Sequence, residues 1–424
     1  MRIVFLTQYF PPEIGAPQAR ISGLAKHFSG CGHDVTVLTA MPNYPSGRIY
    51  PGYGGILQKE TVSGIHVNHV FIYNTQSIKF VTRMMNYLSF VASASLFGSF
   101  ILDAPDFLVV ESPPLFLGIA GLWLRWWKNV KLIFNVSDLW PESAIELGIV
   151  KRDGLAARIS YWLEKVCYQR AWLITGQSKS IVENIRGRFP GRPVFHLSNG
   201  VDTTVFSPDR RTETARALLG SDGQFIFVYA GLHGKAQGLI QILQAACTLK
   251  GDPRFRFVLI GDGPEKARLK KLVNEWGLLN VRFLDPMPHQ KIPEILAAAD
   301  AILVPLVGNI TGAVPSKLYE AMAVGRPLIV VASGEGAQIV KEYRAGFTVE
   351  PNDINGLVES LRKLSEDGEL AKVFGQNGRN TAVRNFDRRE IFQRFTQFLT
   401  ENGSSSAPVK PGQVDSLQTL CNGR

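Results

Sequence analysis

Cysteine is scarce in this chain, and what there is lies scattered. Cys31, Cys167, Cys247 and Cys421 form no C-x-x-C pair and gather no histidines around them. That argues against a disulfide framework or a structural zinc, and fits a reducing compartment. No D-x-D triplet occurs, so the grouped carboxylates that hold a divalent ion on a phosphorylated substrate are missing; chemistry without metal or other cofactor is expected. Dense runs of lysine and arginine are also absent, as are nucleic-acid motifs. The formal net charge of +10 still favours an anionic partner, with phosphate-bearing substrates and an acidic membrane surface ahead of nucleic acid. The opening MRIVFLTQYFPPE has too short an apolar run, and no small-residue cleavage site, for a secretory signal.

What is present is a globular composition, 45% hydrophobic and 19% charged over 424 residues, enough for two domains with their own cores. Residues Met84–Leu102, MMNYLSFVASASLFGSFIL, carry no charge. Their length approaches that of a spanning helix, but Asn86, Ser89, Ser93, Ser95 and Ser99 make the run only moderately apolar. A buried or interfacial helix is expected. Trp123, Trp126 and Trp127 beside Arg125, Lys128 and Lys131 suit a membrane-surface patch, or equally core tryptophan next to a solvated face.

Short apolar strands alternate with helix-length segments, the pattern of parallel α/β units. The first half gives strands at 3–7, 34–39, 65–70, 107–111, 131–136, 172–175 and 194–197, with a helix from Pro17 to the C-capping Gly30 and Gly32. From Asn199 the chain becomes polar and turn-rich. A second series follows at 225–230, 256–260, 281–284, 301–304, 328–331 and 347–349, then helices near 369–384 and 388–400. The expected organisation is a first Rossmann-like domain over 1–200, a linker over 201–222, a second Rossmann-like domain over 223–400 whose last helix can cross back, and a disordered tail over 401–424. Ligands of such sheets bind at the loops after the strands, so a cleft between the domains is the expected site.

Four loops carry candidate chemistry. Gly15 in QYFPPEIGAPQAR precedes a helix N-terminus, where amide donors and the dipole favour phosphate; the loop is not G-x-G-x-x-G, and a plain helix-entry turn explains it as well. In YAGLHGKAQG, Gly231 bares backbone and Lys235 brings a positive charge, the combination a diphosphate needs. In LIGDGPE, Gly261 and Gly263 form a tight turn beside the expected nucleotide. In PSKLYEAMAVGRP, Ser316 is a candidate N-cap. Lys317 follows in the first turn, where a cation opposes the helix dipole and a neighbouring phosphate would explain it. Glu320 can accept two ribose hydroxyl hydrogen bonds, or form an ordinary pair with Lys317.

These motifs, with DLWPES (Asp138–Ser143), GKAQGL and the two-domain layout, resemble the retaining glycosyltransferases of family 4, with the GT-B fold, over the chain up to about Thr400. The resemblance is to the bacterial surface-polysaccharide branch, near the fucosamine-type transferases of O-antigen assembly. It implies that Glu320, the second glutamate of the family's E-x7-E motif, holds the donor ribose. The first glutamate is replaced by Ala313, with backbone at Thr311, Gly312 and Val314 left to contact the sugar. Lys235 matches the residue that neutralises the diphosphate, and His233 stands where many relatives carry arginine. Gly15 matches the loop facing the diphosphate. Asp138 falls near the acceptor hydroxyl, with Glu142 as the neighbouring candidate; a carboxylate there orients or deprotonates that hydroxyl, or Asp138 is an N-cap.

The expected activity is metal-independent, retaining transfer from a nucleotide sugar to a polyprenyl-diphosphate-linked glycan at the cytoplasmic face of the inner membrane, in O-antigen, capsule or exopolysaccharide synthesis. A UDP-sugar 2-epimerase of the same architecture and a degenerate, non-catalytic scaffold are the alternatives.

Overall fold

The computed structural model describes the chain apart from residues 14, 78–79, 147, 221–222, 308–311, 313, 404–411 and 415–424. The expectations for Thr311 and Ala313 therefore lie outside the described residues. The chain divides into two compact units, Met1–Ser198 with Arg389–Arg424, and Asn199–Arg388.

The first unit is built from β1 (Arg2–Leu6), α1 (Ala16–Gly30), β2 (Asp34–Ala40), β3 (Leu57–Val62), β4 (Ile65–Val70), α2 (Phe80–Ile101), β5 (Phe107–Ser112), α3 (Leu117–Lys128), β6 (Lys131–Val136), α4 (Glu142–Glu146), α5 (Leu155–Arg170), β7 (Leu173–Gly176), α6 (Lys179–Arg188) and β8 (Val194–His196). The described strands form one sheet in the order β3-β4-β2-β1-β5-β6-β7-β8. All neighbours are parallel except β3 and β4, a hairpin whose register closes at Val62 opposite Ile65. Its turn uses Ser63 and Gly64 at φ 52° and 77°, the two left-handed residues that a type I′ turn demands. Sequence reading overlooked β3 because LQKETV is polar, as befits an edge strand. The two faces of the sheet bury separate cores, one around Phe90, Leu108 and Phe134 and one around Phe5, Phe28 and Phe195.

The second unit runs α7 (Glu213–Leu219), β9 (Phe225–Ala230), α8 (Ile240–Thr248), β10 (Phe255–Ile260), α9 (Lys266–Glu275), β11 (Val281–Leu284), α10 (Ile292–Ala298), β12 (Ala301–Pro305), α11 (Ser316–Ala323), β13 (Leu328–Val331), α12 (Glu335–Glu342), β14 (Gly346–Val349), α13 (Ile354–Glu366) and α14 (Gly368–Asn385). Its described strands form a sheet ordered β11-β10-β9-β12-β13-β14, parallel throughout. The fold is the expected α/β arrangement of two Rossmann-like units.

Two boundaries need correction. Of the expected linker 201–222, the described residues 201–220 belong to the second unit. Thr212 caps α7 by accepting from the Ala215 amide, and Val201, Phe206, Ala215 and Leu219 are buried in the second unit's core; burial of that apolar set holds the segment down. The last helix, α15 (Arg388–Gly403), crosses back to the first unit, in line with the expected layout; the correction is to where the tail begins. Phe392, Phe395, Phe398 and Leu399 pack against Phe28 and Phe195 there. Residues 401–403, expected in the tail, complete this helix, and Val414 is buried on the same core.

Candidate active site

In the second sheet the strand order reverses between β9 and β12, and an open parallel sheet binds its ligand at such a switch point, outside the strand C-termini. The loops after β9, β10 and β12 are drawn together there. Gly231 leaves β9 at φ 155° and donates its N–H to the Ile260 carbonyl at 2.8 Å. His233 donates to the Asp262 carbonyl at 2.8 Å, and Glu265 to the His233 carbonyl at 2.9 Å. The first two loops thus run as a paired ribbon, and this fixes their glycines. A Cβ on Gly261 would strike the Gly231 carbonyl, and one on Gly263 the His233 backbone. Lys266 supports the ribbon from below: its buried amine donates to the Gly261 carbonyl at 2.7 Å and to Asp285 at 2.8 Å.

Gly231 has a second reason to be glycine. A Cβ there would collide with Cε and Nζ of Lys317. The Lys317 amine lies across the bared backbone of Gly231, 5.3 Å from the centre of the Tyr229 ring. It forms no ion pair within 4 Å among the described residues, and burial lowers its pKa, with Glu320 pulling the other way. A desolvated ammonium in the first turn of a helix is in an environment that an anion relieves. Ser316 is the first residue of α11 rather than its cap; Pro315 is the N-cap and offers no side-chain acceptor, so no side chain caps the first-turn amides, of which Leu318 donates to the Pro315 carbonyl at 3.0 Å. Glu320 lies one turn on, half-buried. Burial raises its carboxyl, while Lys317, His289 and Arg388 draw it down. Lys235 is exposed at the start of a 3-10 turn, Lys235–Gln237, beside the chain leaving β12: Val307 donates to the Ala236 carbonyl at 2.7 Å. His233 is fully buried against Tyr229 and Phe283, and burial lowers its pKa. Gly312 turns with φ 81°, whereas Val314 is buried in the core.

In the first sheet the order reverses between β1 and β5, and a polar group absent from the sequence-based candidates occupies the strand ends. Arg20, from α1, bonds Glu111 at the end of β5 and Ser137 after β6, and reaches Gln177 after β7 at 3.0 Å. Glu111 also accepts from Asn135, and Asn135 from Thr175. Arg20 and Glu111 are nearly fully buried, so each charge needs the other. The signal available in sequence was an acid closing the otherwise apolar strand FLVVES. Glu13 is a second such group: its carboxylate accepts from the amides of Phe10, Asn43 and Tyr44 at 3.3, 2.8 and 2.7 Å, binding the β1–α1 loop to the loop after β2. Gly15, the N-cap of α1, has an extended φ of 172°, and a Cβ there would meet only the end of the Gln18 side chain. Backbone conformation does not demand glycine at that position.

Asp138 directly follows Ser137 of this network. It is partly exposed, and burial raises its pKa. Glu142 opens α4 and pairs with Arg188 at 3.2 Å, which also binds Glu164. Glu142 is thereby engaged within the fold, and Asp138 is the carboxylate of the two that has no cationic partner within 4 Å among the described residues.

Two family models match the chain. The glycosyl transferase 4-like domain covers residues 15–220 and the glycosyl transferases group 1 model covers residues 210–381. The Escherichia coli (strain K12) protein WcaI, by its name a glycosyl transferase of colanic acid biosynthesis, is 23% identical over 410 residues, 93% of this chain and 98% of its own length. Sucrose-phosphate synthase from Thermosynechococcus elongatus superposes with a TM-score of 0.75 at 19% identity, covering 94% of this chain and 98% of that one. Anabaena Alr3699/HepE, solved with UDP-glucose, does so at 0.70 and 17%, covering 95% and 100%. With both units matched and the GT-B architecture shared, the chain belongs to the glycosyltransferases of the group 1, family-4-like type.

Proposed function

We infer that the protein transfers a sugar from a nucleoside diphosphate sugar to a lipid-linked glycan, with retention at the anomeric carbon and without a divalent metal. The second unit holds the donor. Lys317, Lys235 and the amides around Gly231 and α11 take the diphosphate, and Glu320 takes the ribose hydroxyls. The bond between the anomeric carbon and the diphosphate oxygen breaks, its electron pair goes to that oxygen, and the two lysines stabilise the charge. The acceptor hydroxyl oxygen bonds to the anomeric carbon, and Asp138, set in place by the Arg20–Glu111 network, orients that hydroxyl and takes its proton. The acceptor is a polyprenyl-diphosphate-linked glycan of surface-polysaccharide assembly, met at the cytoplasmic face of the inner membrane. The relative named for colanic acid biosynthesis and the structural neighbour solved with UDP-glucose support this reading.

The observation that carries it is the seating of the Lys317 amine on the Cβ-less Gly231 at the switch point of the second sheet. A thermal-shift screen of the intact protein against UDP-, GDP- and dTDP-sugars tests it. A cognate donor at about 100 times its Kd contributes about 2.7 kcal/mol and raises the melting temperature. No response to any of them contradicts the reading. Activity in excess chelator is expected to persist; its abolition, with recovery on adding magnesium, would refute the metal-free mechanism.

A further inference from the structure

Three helices on one face of the first sheet each present an outward apolar stripe. On α2 it is Val81, Met85, Leu88, Leu96 and Phe100, the last 75% exposed. On α3 it is Ile119, Trp123 and Trp126, the last 69% exposed, with Trp127 alongside. On α5 it is Leu155, Ile159 and Trp162, the last 64% exposed. Within α3 and α5 the spacing is i, i+4, i+7, so each set lies along one side of its helix. Helix α3 packs against both α2 and α5, which makes the stripes neighbours. The indole N–H of Trp123 donates to Ser99 of α2 at 3.0 Å, and the three tryptophan rings of α3 lie 5.3–6.0 Å apart. Exposed, clustered indoles have no use in a water-facing surface but suit the boundary of water and hydrocarbon.

Charge is equally one-sided. The three helices carry Arg83, Arg125, Lys128, Arg158, Lys165 and Arg170, against a single acid, Glu164, which is buried and paired with Arg188. Long basic side chains around an apolar face can reach anionic headgroups while the face enters the acyl boundary.

Although Val81–Ile101 is long and apolar enough to cross a membrane, its other side is committed to the sheet. Phe90 and Ala94 are fully buried in the core. Asn86 accepts from Gln8 at 3.1 Å and donates to the Tyr73 carbonyl at 2.7 Å, and Ser93 bonds the Phe71 carbonyl. A spanning helix would strip these groups of their partners.

We propose that the outer face of α2, α3 and α5 is a docking surface for an anionic lipid bilayer, with α2 lying in the plane of the membrane rather than through it. The place of this surface in catalysis rests on the lipid-linked acceptor proposed above; the binding does not, and the two fail separately. The test uses the full-length protein with vesicles of phosphatidylethanolamine and phosphatidylglycerol, and of phosphatidylcholine alone. Co-sedimentation with the anionic vesicles, a blue shift of tryptophan emission and quenching by brominated acyl chains are expected, with binding to the neutral vesicles weaker by about tenfold or more. Leu96→Gln with Trp126→Gln, both at exposed positions, is expected to lower anionic-vesicle binding by at least about tenfold, while the melting temperature and its shift with donor stay at wild-type values. Alkaline carbonate is expected to release the protein from membranes. Wild-type vesicle binding retained in the double variant overturns the surface. Resistance to carbonate overturns the in-plane orientation. A wild-type dimer in sedimentation velocity that the double variant abolishes, without vesicle binding, assigns the face to a second copy of the chain instead.

Discussion

Lys317 and Gly231 fit each other in space. The amine occupies the space a Cβ would fill, so Gly231→Ala is expected to push Lys317 off the β9 loop and cost donor affinity without unfolding the unit. Lys317→Met removes the charge while keeping the stem. The loss of a charge-assisted phosphate contact is about 1.5–3 kcal/mol, so about 10- to 100-fold weaker donor binding is expected by calorimetry, with an unchanged far-UV spectrum. Asp138 makes a pH prediction. Burial raises its carboxyl, and a base works only when ionised. Activity at saturating donor should therefore rise with pH through a value above the ordinary carboxylate range, and Asp138→Asn should lose that limb with most of the rate. An unchanged profile in the variant assigns the base elsewhere. Glycine and lysine in βα loops were legible from the sequence because their chemistry is local. Arg20, Glu111 and Glu13 were not, since the first two lie 91 residues apart and two of the three amides bound by Glu13 lie 30 or more residues away. Only the fold brings those charges together.

At the scale of elements, apolar periodicity recovered the buried strands and their order of alternation, because a parallel strand covered on both faces reads as a continuous apolar run. It failed where burial is one-sided or local. β3 is a polar edge strand, and α7 sits in a polar stretch whose cap at Thr212 and apolar pair Ala215 and Leu219 are easily outweighed by the charges between them. α15 is the element most remote in sequence from its core. Phe395 is fully buried and meets Phe28 and Phe195 at ring distances of 6.2 and 5.2 Å. Phe395→Ala should cost about 3–5 kcal/mol, read as a lowered denaturant midpoint for the first unit. The melting shift produced by donor, which acts on the second unit, should persist in folded Phe395→Ala.

For the whole molecule, the division of labour is the claim that matters: a phosphate-gripping unit over Asn199–Arg388 and a unit over Met1–Ser198 with α15 that carries the acceptor base. The resemblance read from PSKLYEAMAVGRP and DLWPES pointed to family and architecture, but not to the donor sugar, which none of these motifs specifies. Isothermal titration of the intact protein with UDP-glucose, or with whichever nucleotide sugar first raises the melting temperature, tests the division most directly, run on wild type, Lys317→Met, Glu320→Ala and Asp138→Asn. The account predicts binding to wild type and to Asp138→Asn with matching affinity, and at least about tenfold weaker binding to the other two. Equal affinity in all four proteins, or loss confined to Asp138→Asn, would contradict it.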